Sequence, residues 1–301
     1  MSSRAHPGGG GMDPSGRGMG VPNRGTRLTL VVVATAAAAL FAVLAATFTG
    51  HSAPPHRVTT DRYPVGVRDR LDPSGMAPPG PDALQGYSRT YVSDFPGSSL
   101  PTGWDPFAGV PGADPGGQFA SSHVVVAGGV LHLDVFRDPA YGNKWVTGGV
   151  CLCGVSQTYG AVFVRSRIDA PGAAAAELLW PADNSFPPEI DFNETAGAVT
   201  WTSSTIHYSK VNALDQHNLT IDMRTWHTWG VIWSPTSIIL TVDGREWAST
   251  DNRAEIPDLP MTLHLQEQTY LKQGSTCTFG TACPSVPSTM EVDWVAEYSP
   301  R

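Results

Sequence analysis

The chain has 301 residues, 41% of them apolar and only 15% charged, enough to bury one large core. Its 32 glycines and 26 prolines favour many short strands joined by turns over long helices. Eight basic and five acidic residues precede Gly86, whereas 11 basic and 22 acidic residues follow from there, an acidic excess that excludes DNA, RNA and other polyanions as ligands.

Residues 1–27 are Gly-, Ser- and Pro-rich and carry Arg4, Arg17, Arg24 and Arg27, which predicts a disordered lead. LTLVVVATAAAALFAVLAATF, residues 28–48, has no charge and as a helix would span roughly 31 Å, about one hydrocarbon core. The basic flank precedes this run, so the lead is expected in the cytoplasm, residues 28–48 in the cell membrane, and the rest outside. A cleaved signal peptide, which would leave a secreted protein, is the alternative. Its apolar region is usually shorter, and no A-x-A site follows Phe48. Residues 49–86 read as a Pro/Gly-rich linker, and residues 87–301 as the exported domain.

Within that domain the strand signals recur at short intervals. VLHLDVF (130–136) alternates apolar and polar residues, and YGAVFVRSRI (159–168) is aromatic and β-branched. HTWGVIWSPTSIILTVDGREW (227–247) predicts two strands turning at Ser234-Pro235-Thr236, then a second turn at Asp243-Gly244. MTLHLQEQTY (261–270) and MEVDWVAEY (290–298) supply further strands. The fold class is therefore all-β, a sandwich or barrel. Cys277 and Cys283 enclose a short loop and would pair easily. Cys151 and Cys153 would then pair with each other, stay free, or cross to the other two. A zinc site is the less usual reading, since C-x-C with C-x5-C is not a common zinc spacing.

The stretch EIDFNE, residues 189–194, concentrates three acids in apolar surroundings. On a strand Glu189 and Asp191 share a face. Glu194 lies an odd number of residues further, so one extra residue, a β-bulge around Phe192-Asn193, is needed to turn it to the same side. Carboxyls roughly 5–5.5 Å apart are what a retaining glycosidase uses, one attacking and one shuttling the proton. An acid between them would share a proton and move their pKa values apart. His207 is the expected hydrogen-bond partner of these acids, Trp180 a sugar-stacking platform, and Gln266, with Gln268 beside it, a cleft amide. Trp145, Trp201 and Tyr208 add uncharged stacking faces, while Trp229 and Trp233 read as core.

EIDFNE resembles the E-x-D-x-x-E signature of glycoside hydrolase family 16, the laminarinase-like endo-β-glucanases with a concanavalin-type jelly roll. AELLWPADNSFPPEIDFNE, IHY (206–208), TWHTWGVIWSPTSIILTVDG, LHLQEQ and VDWV extend the resemblance over about residues 87–299. It implies Glu189 as nucleophile, Asp191 as assisting acid and Glu194 as acid/base. It also implies an endo-acting, retaining enzyme on internal β-1,3 or mixed β-1,3/1,4 bonds that requires no cofactor. Where relatives carry Trp and Gly before the first Glu, this chain has Phe186-Pro187-Pro188, which alters one sugar subsite. Asp293 resembles a position that helps hold a structural calcium ion away from the cleft. The expected partner is a neutral β-glucan, because no Arg or Lys cluster flanks the acids, and the expected state is a monomer. A transglycosylase acting on surface glycan and a catalytically silent sugar-binding module remain the alternatives.

Overall fold

A computed structural model describes residues 62–112, 114–269 and 284–301. The expected lead, the apolar run 28–48, most of the loop carrying Cys277 and Cys283, and those two cysteines lie outside the described residues. Among the described residues no helix is long and apolar enough to cross a membrane.

The strands follow in chain order as β1 (Val67–Arg68), β2 (Met76–Ala77), β3 (Tyr87–Ser93), β4 (Asp105–Pro106), β5 (Val124–Ala127), β6 (Val130–Asp138), β7 (Lys144–Thr147), β8 (Gly149–Cys151) and β9 (Gly160–Ile168). They continue as β10 (Ala174–Pro181), β11 (Glu189–Glu194), β12 (Trp201–Tyr208), β13 (Ala213–Thr220), β14 (His227–Trp233), β15 (Ile238–Val242), β16 (Arg245–Thr250), β17 (Met261–Gln268) and β18 (Ser288–Pro300). Each strand expected from alternation is present. The turn at Asp243-Gly244 has both residues at positive φ, 47° and 79°, the geometry that a two-residue hairpin connection requires.

Two antiparallel sheets form a sandwich. One runs β13-β12-β11-β10-β17-β8-β4; the other runs β16-β15-β14-β9-β18-β6-β5, with β3 and β7 attached to β18 and β6. The core between them is built from alternate residues of both sheets: Leu179, Ile190, Phe192, Ile206, Leu263 and Leu265 from the first, Leu131, Val162, Val164, Trp229, Val231 and Val295 from the second. Trp229 and Trp233 are core residues, as expected.

The domain begins earlier than Tyr87. The outer face of β9, β14 and β18 is also apolar, with Phe163, Ile232, Trp294, Ala296 and Tyr298 forming a second cluster. Residues 62–86, expected as linker, cover it. Leu84 is buried in that cluster, the Trp294 indole donates to the Met76 carbonyl at 2.7 Å, and the Tyr298 hydroxyl donates to the Gly80 carbonyl at 2.8 Å. Gly66, at φ +102°, passes so close to Trp294 and the Ala77 carbonyl that a side chain there would collide. Apolar cover delivered by Tyr63 and Leu84, 21 positions apart, leaves no periodic signal in a proline-rich stretch.

Candidate active site

The first sheet turns one face to the core and the other to solvent, and the three acids stand on the solvent face of β11. Ile190 and Phe192 point into the core, which fixes the opposite direction for Glu189 and Asp191. Between Asp191 and Glu194 the register to β12 shifts, from Asp191 opposite Thr205 to Glu194 opposite Ser203. Phe192 and Asn193 together therefore face Ser204 alone, the extra residue that the spacing demanded. Polar groups hold this bulge. The Thr202 hydroxyl donates to Asn193 Oδ1 at 2.7 Å and lies 2.9 Å from the Glu194 carbonyl, to which the Ser203 hydroxyl donates at 3.1 Å.

Across the strands the floor is ordered in rows. Gln266, Ala176, Glu194 and Ser203 make one row; His264, Leu178, Asp191 and Thr205 make the next. Gln266 thus shares the acids' face and is half-buried, whereas Gln268 is buried. Small or apolar residues on β10 (Ala176, Leu178 and Trp180) lie beside the acids and lower the local dielectric.

The electrostatics follow from this crowding. Burial, and then the charges of Asp191 and Glu194 with a hydrogen bond to Asp191, push the Glu189 carboxyl well above its ordinary range. A hydrogen bond joins the Glu189 and Asp191 carboxyls. On the other side of Asp191, His207 Nε2 lies 3.3 Å from Asp191 Oδ2, and His207 Nδ1 lies 2.9 Å from Asn212 Oδ1. Burial works against charging His207, but the hydrogen bond and charge of Asp191 outweigh it and raise its pKa. A chain of Asn212, His207, Asp191 and Glu189 results, with the middle acid contacted from both sides. Asn212 was not expected from the sequence; it lies in the turn after β12 at φ 52°, where Asn is favoured.

Two aromatic expectations are corrected. Trp180 is only 4% exposed, because the Phe186 ring stacks on it at 5.5 Å with planes 11° apart. Phe186 also tilts against His207, at 5.5 Å. Trp145 belongs to β7 in the other sheet, buried against Val135 and Ala173 with Arg137 over its ring, and is no cleft surface. Tyr208, with Phe186, Pro187, Pro188, Lys210, Glu255 and Asp258, lines a pocket of about 400 Å³ at the Glu189 end of the sheet. Lys210 is the single basic residue there and two acids accompany it, so the pocket is not a basic one.

The matching of the chain to known proteins agrees with this geometry. The family model for glycosyl hydrolases family 16 matches residues 126–295, more than half of the chain. The chain belongs to glycosyl hydrolases family 16. By that membership it is a glycoside hydrolase. An endo-1,3-1,4-β-glycanase of Rhizobium meliloti, ExsH, is 28% identical over 149 residues, 48% of this chain and 31% of the relative. The chain thus spans about a third of that relative. An endo-β-1,3-glucanase from Pyrococcus furiosus has the same fold with a TM-score of 0.60 at 18% identity, over 71% of this chain and 95% of that one. The laminarinase from Rhodothermus marinus gives 0.61 at 19% identity, over 71% and 98%. These two likenesses establish the jelly-roll sandwich for the family member described above.

Proposed function

We propose that this family member cleaves internal β-1,3 or mixed β-1,3/1,4 bonds of a neutral glucan with retention, Glu189 attacking and Glu194 serving as acid and then base. The observation that carries this reading is the bulge at Phe192-Asn193, which gathers Glu189, Asp191 and Glu194 on one face. A merely sugar-binding floor has no need of three crowded carboxyls. In the first step Glu194 gives its proton to the leaving oxygen while Glu189, its shared proton settled on Asp191, bonds to the anomeric carbon. In the second, Glu194 takes a proton from water and the water displaces Glu189. Asp191 and His207 act by holding that proton in place. The activity in the name of the Rhizobium relative, and the two acids beside Lys210 in the pocket at the Glu189 end of the sheet, both support a neutral glucan. The apolar run 28–48 with its basic flank supports an exported, membrane-held enzyme.

The test is to incubate the full chain with laminarin, lichenan, agarose, xyloglucan and carrageenan and to size the products. Laminarin or lichenan should be shortened fastest. Preferred cleavage of carrageenan, or no product from any polymer, overturns the reading; products longer than the substrate would assign transfer instead.

Phe186, as the aromatic face presented to the cleft, should contribute stacking worth about 1 kcal/mol. Phe186→Ala should therefore raise KM on a glucan oligosaccharide roughly five- to tenfold and change kcat little. An unchanged KM would remove Phe186 from the binding surface.

We also propose a structural calcium ion on the second sheet. Asp293, on β18, has one carboxylate oxygen within 4.8 Å of oxygens of Asp72 and Asp94, and its side chain is fully buried. Hard oxygen donors of this kind suit calcium, whose charge would offset the three acids. Asp72 and Asp94 come from stretches with no motif, the first from the supposed linker. Adding a chelator should lower Tm by several degrees, and millimolar calcium should restore it. Equal Tm values in chelator and in calcium would disprove this site.

A further inference from the structure

The far side of the cleft floor holds a second cluster that the hydrolytic reading does not use. Cys151 ends β8 and lies opposite His264 of β17. Its neighbour Val150 and the neighbouring Leu263 and Leu265 point into the core, so Cys151 and His264 stand on the solvent face with the acids. Cys153, two residues on, is exposed and closes a disulfide with Cys151. The two sulfurs and one ring nitrogen of His264 all lie within 4.8 Å of one another. The Thr262 hydroxyl is 3.1 Å from His264 Nε2 and 3.8 Å from the Cys151 sulfur, and so fixes the ring beside the sulfur. Phe107, whose ring centroid is 5.4 Å from that of His264, and Trp180 at 6.3 Å wall the cluster.

We propose that reduction of the Cys151–Cys153 disulfide opens a Cys2His zinc site on the cleft floor, in the same cross-strand row as Asp191. Two thiolates and one imidazole are a donor set that zinc takes with a water in its fourth position. The closed disulfide has no thiolate to offer and keeps the site shut. An external dithiol supplies the two electrons: the S–S bond breaks, the reductant becomes a disulfide, and two protons pass to the cysteine sulfurs. Zinc binding releases those two protons, and the thiolates offset the two charges of the ion. The exposed Cys153 sulfur is where the reductant reaches the bond.

The experiment uses the full chain carrying Cys277→Ser and Cys283→Ser, so that only this cysteine pair can react. After reduction with a dithiol and anaerobic desalting, it should bind one zinc per chain. With cobalt as the probe it should show thiolate-to-metal absorption. The oxidised chain should bind neither. Cys153→Ser and His264→Ala should each weaken zinc binding by roughly tenfold or more, since even outer-shell losses reach that size. Three results would overturn the proposal: no zinc bound after reduction, the same binding after Cys151→Ser with Cys153→Ser, or loss of native tryptophan fluorescence on reduction, because the site needs β8 paired with β17.

Discussion

Glu189→Gln is expected to lower kcat/KM on laminarin by roughly 10⁴-fold or more while leaving the fold unchanged. The amide keeps the volume of the side chain and its reach toward Asp191, so the floor beside Leu178 and Trp180 stays packed. It cannot bond to the anomeric carbon, and it replaces the carboxyl that is hydrogen-bonded to Asp191. Glu194→Ala should cost less, roughly 10²–10⁴-fold, because proton transfer alone is lost. Azide separates the two roles. Added to Glu189→Ala it should attack in place of the missing carboxylate and yield a glycosyl azide of inverted configuration. Added to Glu194→Ala it should displace Glu189 and yield the retained configuration. Hydrolysis by Glu189→Gln at a near-native rate, or the two configurations exchanged, would refute the assignment.

The trio was legible in the sequence because a strand has a strict period of two. Three acids at offsets zero, two and five cannot share a face without one extra residue, so the bulge was implied by the letters alone. The alternating strands were legible for the same reason, each burying one face against the opposite sheet. Phe186 covering Trp180 was not, since both are aromatic and nothing in the local text says which one lies on top. Asp72 and Asp94 were hidden because their partner, Asp293, is about 200 positions away. The packed stretch 62–86 was hidden because its fit to the outer face of β18 rests on single backbone carbonyls, at Met76 and Gly80, which any residue can supply.

Glu177 is hidden for a different reason: it reads as one more polar letter in AELLW, but it faces the core. Ala175 and Leu179, on either side of it in alternation, are core residues, and Glu177 is fully buried opposite Asn193 of the bulge. The Ser166 hydroxyl donates to its carboxyl. Burial pushes its pKa up to about 8, against the pull of Ser166 and Asn193 in the other direction. In the unfolded chain it ionises near 4.5. The folded state therefore binds a proton that the unfolded state releases between those two values, and stability falls as pH rises from about 4.5 to about 8. A shift of that size corresponds to roughly 4–5 kcal/mol at the upper end. Glu267 and Glu297 are raised by burial as well and act with the same sign; His264, pushed down to about 3 by burial, acts against them below its ordinary range. Comparison with a variant isolates one group from the rest. Glu177→Gln keeps an acceptor for Ser166 and titrates in neither state. Urea unfolding at pH 5 and pH 8 should show the wild type losing several kcal/mol more than Glu177→Gln, with the variant the more stable of the two at pH 8. Parallel losses in the two proteins would mean that Glu177 is ionised in the folded core, with a cation or ordered water beside the bulge to hold its charge.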